Sequence, residues 1–221
     1  MKPILAITMG DPAGIGPEII LQALSLKEIY DKCKPLVTGD AGVMEFVARQ
    51  QNSTLKIHAI EKVEDAKFEL GIVDVLDLKL IDMQTFEQGK VAVQCGNAAF
   101  QSVVKAIELA MNDEVNGTVT APLNKEALNL AGHHFDGHTE IYATYTHTKK
   151  YAMLLADEFL RVIHVSTHVP LRKACDLVKK ERIIDVTELI TDACKQFGIE
   201  NPKIGIAGLN PHASDGGLFG D

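Results

Sequence analysis

Short β-rich runs and amphipathic stretches alternate along almost the whole chain, and this alternation limits the fold more than any other feature. Residues 4–8 read as a buried strand, and residues 17–26 as a helix with proline in its favoured first turn. Residues 36–38 are strand-like and 42–51 helical, and strands follow at 55–60 and 72–76. The clearest helix is 96–112, where Ala99, Val103, Ile107 and Ala110 recur at helical spacing. A strand at 115–120 then runs into Ala121-Pro122, and Asn124 caps a short helix reaching Leu130. Beyond it the pattern predicts strands at 152–155 and 162–165, helices at 171–179 and 183–197, and a last strand at 203–207. Such alternation calls for a largely parallel sheet covered by helices on both faces.

A chain of 221 residues builds one large domain or two small ones, and 46% hydrophobic with 24% charged residues is ordinary for a soluble globular protein. The net charge of −8 argues against a nucleic-acid partner, since phosphate backbones are met by basic faces. No apolar run approaches the roughly 20 residues a membrane helix needs, so no membrane partner is expected. The N-terminus runs straight into Gly10-Asp11-Pro12 and reads as a first strand, not a signal peptide. Cys33, Cys95, Cys175 and Cys194 form no Cys-x-x-Cys pair and are expected to be reduced thiols of a cytoplasmic protein. Residues 216–221 form a loop with no element after it, which suggests either missing sequence or a natural tail.

Several segments carry groups suited to chemistry. Gly10-Asp11-Pro12-Ala13-Gly14-Ile15-Gly16-Pro17-Glu18 follows a strand and opens a helix, so it is either a structural turn or a ligand loop. It is not the dinucleotide fingerprint, because the third glycine is absent. Lys125 lies at a helix start and reads first as a solvated lysine, second as a phosphate or carboxylate contact. Residues 132–140 hold His133, His134 and His138. His138 and Thr139 precede a helix, where imidazole, hydroxyl and free N–H groups converge on an anion, or Thr139 is simply an N-cap. His168 and His212 each follow a β-rich run in a proline-punctuated loop, the usual location of ligand groups in open α/β sheets. Two such imidazoles are either satisfied loop histidines or a shared metal site, suited to zinc, cobalt, nickel or iron. His58, His147 and His164 lack such context, and His164 reads as a core or inter-element histidine.

Taken together and in order, Gly10-Asp-Pro-Ala-Gly-Ile-Gly-Pro-Glu18, Thr120-Ala-Pro-Leu-Asn-Lys125, Gly137-His-Thr-Glu140, Ser166-Thr-His-Val-Pro-Leu171 and Gly208-Leu-Asn-Pro-His-Ala213 resemble the 4-hydroxythreonine-4-phosphate dehydrogenase family. The resemblance implies an isocitrate/isopropylmalate-dehydrogenase-like α/β fold, with residues 1–221 forming one incomplete α/β unit of a two-subdomain dehydrogenase. It implies a cytoplasmic homodimer with a shared active site and a small phosphorylated substrate. The implied reaction is NAD- or NADP-linked oxidation of the C3 hydroxyl of 4-phosphohydroxy-L-threonine, with loss of carbon dioxide. It belongs to pyridoxine and pyridoxal phosphate biosynthesis.

By motif, His138 and Thr139 match the family's substrate-binding pair, and His168 and His212 match two of its three metal-binding histidines. The metal is divalent (Zn, Co, Mg, Ni or Fe) and acts as a Lewis acid on the hydroxyl. The third metal histidine lies in a Tyr-His-Asp-Gln-Gly motif of the family's final third, which this chain does not contain. No residue is assigned as the acid–base group. Ser214-Asp215-Gly216 departs from the family's usual glycine and glutamate, and residues 120–132 also resemble a branch acting on 4-phospho-D-threonate or D-erythronate. Rival readings are a phosphate acyltransferase-like enzyme and a chain without catalytic activity.

Overall fold

The computed structural model describes residues 2–220 and divides the chain into two compact units, Met1–His147 and Thr148–Asp221. The first unit is built on a five-stranded sheet of order β3-β4-β2-β1-β5, formed by β1 (Ile4–Thr8), β2 (Lys34–Gly39), β3 (Lys56–Ile60), β4 (Ile72–Asp77) and β5 (Gly117–Thr120). Every pairing in it is parallel. Helices α1 (Gly16–Leu24), α2 (Lys27–Lys32), α3 (Ala41–Gln50), α4 (Val93–Met111), α5 (Lys125–Leu130) and α6 (His138–Tyr145) connect and cover the strands.

The two-residue period of the strands sorts their side chains between two cores. Val37, Val73 and Val75 pack with Leu21 and Leu24 of α1 and Val43, Met44 and Val47 of α3. Ala6, Leu36 and Leu76 point the other way, onto Ala106 and Leu109 of α4. A third cluster joins Val103 and Ile107 of α4 to Leu128 of α5 and Ile141 of α6.

Local chemistry sets the helix starts. Asp40 accepts the Val43 N–H at 3.1 Å as the N-cap of α3, and its second oxygen takes the N–H groups of Leu80 and Ile81 at 2.9 and 3.0 Å. One buried carboxylate thus closes a helix end and pins the loop after β4. Asn124 caps α5 by accepting the Ala127 N–H at 3.0 Å, as its position in the sequence predicts. Helix α4 begins three residues earlier than the apolar periodicity indicates, without a side-chain cap.

The second unit contains β6 (Leu154–Ala156), β7 (Arg161–Ile163), α7 (Leu171–Leu177), α8 (Lys180–Gln196) and a 3-10 segment at Pro211–Gly217. Here the pairing departs from the parallel pattern: β6 and β7 form a two-stranded antiparallel ladder. A tight connection of four residues permits only a hairpin, whereas a parallel crossover takes a dozen or more residues. The strand expected at 203–207 is also absent as a strand, because no described segment bonds to its backbone. Among the described residues no helix is long and apolar enough to cross a membrane.

Helix α4 approaches α5 so closely that a Cβ on Gly96 would overlap the Ala127 carbonyl. Gly96→Ala gains intrinsic helix propensity of about 1 kcal/mol, but the backbone it meets cannot yield as a side chain would. Overpacking is expected to win, with a net loss of about 1–3 kcal/mol, read as a lower urea midpoint at unchanged m-value.

Candidate functional site

The segment between α5 and α6 carries three histidines that the structure separates into two roles. The His133 ring stacks on Phe100 of α4, with centroids 3.7 Å apart and planes at 15°, and its Nε2 lies 3.1 Å from Asn97 Oδ1. His134 Nδ1 is 2.9 Å from Asn129 Oδ1 on α5. Phe135 adds a second stack on Phe100 at 5.7 Å. These contacts fasten the segment to α4 and α5, and they give His133 and His134 partners within the protein.

His138 is different. Its Nε2 is buried and has no hydrogen-bond partner. Orphaned buried polar atoms cost about 1–3 kcal/mol, so they call for an explanation in function or in a missing ligand. His138 opens α6, behind an extended Gly137 that supplies no side-chain cap, and Thr139 follows in the same first turn. One turn further on, the Tyr142 hydroxyl donates to Thr118 Oγ1 of β5 at 2.7 Å. Residues four apart share a helix face, so the bond that anchors Tyr142 to β5 also fixes the facing of His138. A helix N-terminus, an unpaired imidazole nitrogen and a hydroxyl in one turn are groups that suit an anion. His138 and Thr139 both lie in the first turn of α6. Burial holds the His138 imidazole below its ordinary pKa of 6.5, and thus neutral near pH 7.

Two of the three glycines in residues 10–18, Gly10 and Gly16, are accounted for by packing. Gly10 has φ +72°, and a Cβ there would collide with the Pro122 carbonyl; the next residue, Asp11, donates its N–H to that same oxygen at 2.9 Å. Asp11 Oδ1 closes the turn on the Ala13 N–H at 2.9 Å. A Cβ on Gly16 would strike the Met9 carbonyl. This is the structural-turn alternative of the sequence reading. Lys125 is exposed, in line with a solvated lysine. All four cysteines are free, and burial followed by the Asp11 charge pushes the Cys95 thiol up to about 11.

In the second unit His168 and His212 share a backbone trait that sequence spacing does not reveal. Both are exposed and both occupy the left-handed region, at φ 55° and 53°. Histidine is among the few residues enriched there, and such positions concentrate at ligand sites. His212 begins six consecutive residues with positive φ, 212–217, four of them not glycine. Asn210 holds this turn through Nδ2, which donates to Ser214 Oγ at 2.9 Å and to the Phe219 carbonyl at 3.3 Å. Arg182 of α8 steadies the approach to His168, donating to the Val165 and Tyr151 carbonyls at 3.0 Å each. His168 follows β7 as expected, but His212 follows an unpaired segment, not a sheet strand. Among the described residues no three His, Cys, Asp or Glu side chains gather as metal ligands. Two imidazoles alone do not make a complete metal site.

Sequence reasoning missed several functional-looking groups. Thr8 Oγ1 is buried without a partner at the end of β1, in register with Thr38 and Thr120 on the neighbouring strands. Threonine at or next to the last position of three strands was its only signal. His58 Nδ1 lies 2.7 Å from Asp74 Oδ1, directly across the β3–β4 ladder, while Asp74 Oδ2 accepts the Phe68 N–H at 2.8 Å. An aspartate within the apolar run 72–76 was the clue. His164 Nδ1 faces the Met153 carbonyl at 3.2 Å, as befits an inter-element histidine.

The depressed pKa values make stability depend on pH. Burial lowers His138, and burial followed by the His134 charge lowers His133, each from 6.5. The unfolded chain therefore binds these protons at higher pH than the folded chain. Unfolding free energy is expected to fall as pH drops below 6.5 toward the folded values. Urea titrations between about pH 7.5 and pH 5.5 should show this slope, and His138→Gln should make it shallower. An identical slope in the variant would remove His138 as a contributor.

Comparison with known proteins gives the site its context. Residues 31–221 match the family described as pyridoxal phosphate biosynthetic protein PdxA. The D-threonate 4-phosphate dehydrogenase of Salmonella typhimurium is 45% identical over 217 residues, 98% of this chain and 66% of that protein. Among solved structures, the 4-hydroxythreonine-4-phosphate dehydrogenase of Klebsiella pneumoniae superposes with a TM-score of 0.88 at 39% identity, covering 100% of this chain and 68% of that one. The enzyme of the same name from Burkholderia phymatum gives 0.83 at 38% identity, covering 100% and 67%. The chain thus spans about two thirds of the length of the curated relatives it matches, 66% in the Salmonella case. With that match over most of its length, the chain belongs to the pyridoxal phosphate biosynthetic protein PdxA family.

Proposed function

We propose that the protein serves NAD-linked oxidation of the C3 hydroxyl of a small hydroxy acid that carries a phosphate on its fourth carbon. The observation that supports this most directly is the buried, unpartnered Nε2 of His138 at the start of α6. A phosphate or carboxylate oxygen placed there accepts the hydrogen bond that the protein leaves unmade. The N–H groups of the first helical turn and the Thr139 hydroxyl contribute further donors. Binding there relieves the orphan's cost, and the positive N-terminal end of α6 favours an anion over a neutral alcohol. An anion beside His138 also favours its protonated form, so substrate binding should raise the pKa that burial lowers.

D-Threonate 4-phosphate is the preferred substrate in this reading, since the Salmonella relative at 45% identity carries that name. 4-Phosphohydroxy-L-threonine, with decarboxylation of its 3-oxo product, is the second. In either case hydride leaves C3 for the nicotinamide and the hydroxyl proton leaves to the medium. His168 and His212 are proposed as two donors to a divalent ion. Because they are an incomplete set, no chemical step is assigned to that ion. A homodimer with a shared site belongs to the same reading.

A screen for NADH release on 4-phosphorylated threonate, erythronate and hydroxythreonine, run with and without chelator, tests the activity. His138→Ala is expected to raise KM at least about tenfold, with a smaller change in kcat, as loss of a ground-state anion contact does. Turnover of the non-phosphorylated acids with equal efficiency would overturn the phosphate assignment. Calorimetric titration with Zn2+ tests the donor pair separately. His168→Ala and His212→Ala should each weaken binding by about tenfold or more, and undiminished affinity in both would remove them as ligands.

A further inference from the structure

Helix α6 carries the groups that the functional reading sets against the substrate, yet little holds it in place. Of its eight residues only Ile141 is fully buried, and no side chain caps its start. Tyr145 meets the Phe100 ring edge-on, with centroids 5.7 Å apart, but is 38% exposed, and an apolar contact of that kind does not fix direction. The Tyr142 hydroxyl does fix direction, by donating to Thr118 Oγ1 at 2.7 Å. Burial pushes the Tyr142 phenol above its ordinary pKa of 10, so it stays protonated and able to donate. At 3.6 residues per turn, His138 lies about 40° around the helix from Tyr142 and about 60° from Ile141, between the two. Ile141 resists withdrawal of the helix from the core, and the hydrogen bond resists its rotation. The strand end of that bond is itself fixed, since Thr118 pairs in register with Ala6 of β1, whose side chain is fully buried. The preceding segment is held by His133 and Phe135 on Phe100, but it joins α6 through Gly137, and a glycine joint passes on little of that restraint.

We propose that Tyr142 is a positioning residue of the anion site: by bonding to Thr118, its hydroxyl sets the rotation of α6 and keeps His138 Nε2 turned inward, where an oxygen of the phosphorylated substrate becomes its partner. The proposal rests on the reading of His138 as the substrate's anion contact. Tyr142 itself touches no substrate atom and acts only through His138. Its ring and its hydroxyl have separate tasks. The ring packs with Leu128, Ile141 and the α4 side chains of the third cluster, whereas the hydroxyl gives the helix its bearing on β5. A phenylalanine at this position keeps the packing and loses the bearing, so the loss falls on recognition more than on folding.

The test compares Tyr142→Phe, Thr118→Val and the double variant with the unaltered protein. Inorganic phosphate affinity is read by calorimetry, and the His138 ring is titrated by NMR without ligand. Each single substitution should weaken phosphate binding about threefold to tenfold, the worth of one hydrogen bond. Each should also move the His138 pKa up toward 6.5, as the burial that lowers it is relieved. The other ionisable groups of the segment, His133, His134 and Glu140, are unaltered in these variants. The double variant should bind no worse than the singles, because the two hydroxyls act as one unit. Thr118→Ser restores the acceptor and should recover binding. Tyr30→Phe is the control: it deletes another buried tyrosine hydroxyl bond, to the Ile72 carbonyl at 2.9 Å, and should leave both readouts unchanged. Undiminished affinity with an unmoved His138 titration in Tyr142→Phe would overturn the proposal, as would losses that add in the double variant. An equal loss in Tyr30→Phe would overturn it too, since that marks a general effect of destabilisation. Phosphate binding that survives His138→Gln would overturn the anion reading as well, whereas binding that His138→Gln abolishes and Tyr142→Phe preserves overturns this proposal alone.

Discussion

The pairing of β1 on both of its edges is the constraint on which the first unit depends. In register with β2 on one side and β5 on the other, β1 brings Thr38, Thr8 and Thr120 to the same level. The chain leaves that level through residues 10–18 and through Ala121-Pro122, and the two exits touch. Asp11 donates to the Pro122 carbonyl, and Gly10 has no room for a side chain because of it. The start of α5 is thereby fixed against the start of α1. Helix α5 in turn packs against α4 at Gly96, and α4 presents Phe100 to the histidine-rich segment. The position of His138 is the last step of this series, secured by Tyr142 on Thr118 of β5 itself. A shift of one residue in the β1–β5 register would reverse the facing of Thr118 and release that bond.

The two units manage their polar groups differently. The first buries carboxylates only where backbone donors or an imidazole meet them. Asp40 serves three N–H groups, and Asp74 serves His58 and Phe68. His138 Nε2 and Thr8 Oγ1 are exceptions, and they lie on the α6 N-terminus and the β1 C-terminus. Exceptions of that kind are the usual mark of a site whose remaining partner is a ligand. In the second unit Arg161 Nε is buried without a partner, and residues 203–207 receive no backbone hydrogen bond from a described residue. Leu155, Leu160, Ile206 and Leu209 of this unit are exposed. A surface of that character is uncommon on an isolated soluble domain.

Much of the first unit was legible in the amino-acid sequence. All five of its strands and its main helices follow from apolar periodicity, because a sheet covered on both faces requires near-continuous apolar runs, and covering helices require a stripe. The Asn124 cap was legible because a cap is a contact between residues three apart. The motifs also singled out His138 with Thr139, and His168 with His212, as the side chains to watch. What the sequence did not separate was His138 from His133 and His134. Their roles depend on Phe100, Asn97 and Asn129, which only packing brings near. The His58–Asp74 pair escaped for the same reason, being opposite across a ladder but sixteen positions apart in the chain.

By itself, then, the sequence determined the α/β class, the parallel order implied by alternation, and a short set of candidate side chains. These are properties of local spacing, and spacing is written along the chain. Only the tertiary structure decided that residues 10–18 are a packed turn, that β6 and β7 run antiparallel, and that residues 203–207 lack a neighbour. It also decided that, unlike His133 and His134, His138 has a buried imidazole nitrogen without a hydrogen-bond partner. Each of these depends on which distant backbone or side chain fills the adjoining space, and that is fixed by close packing in three dimensions, not by the order of residues.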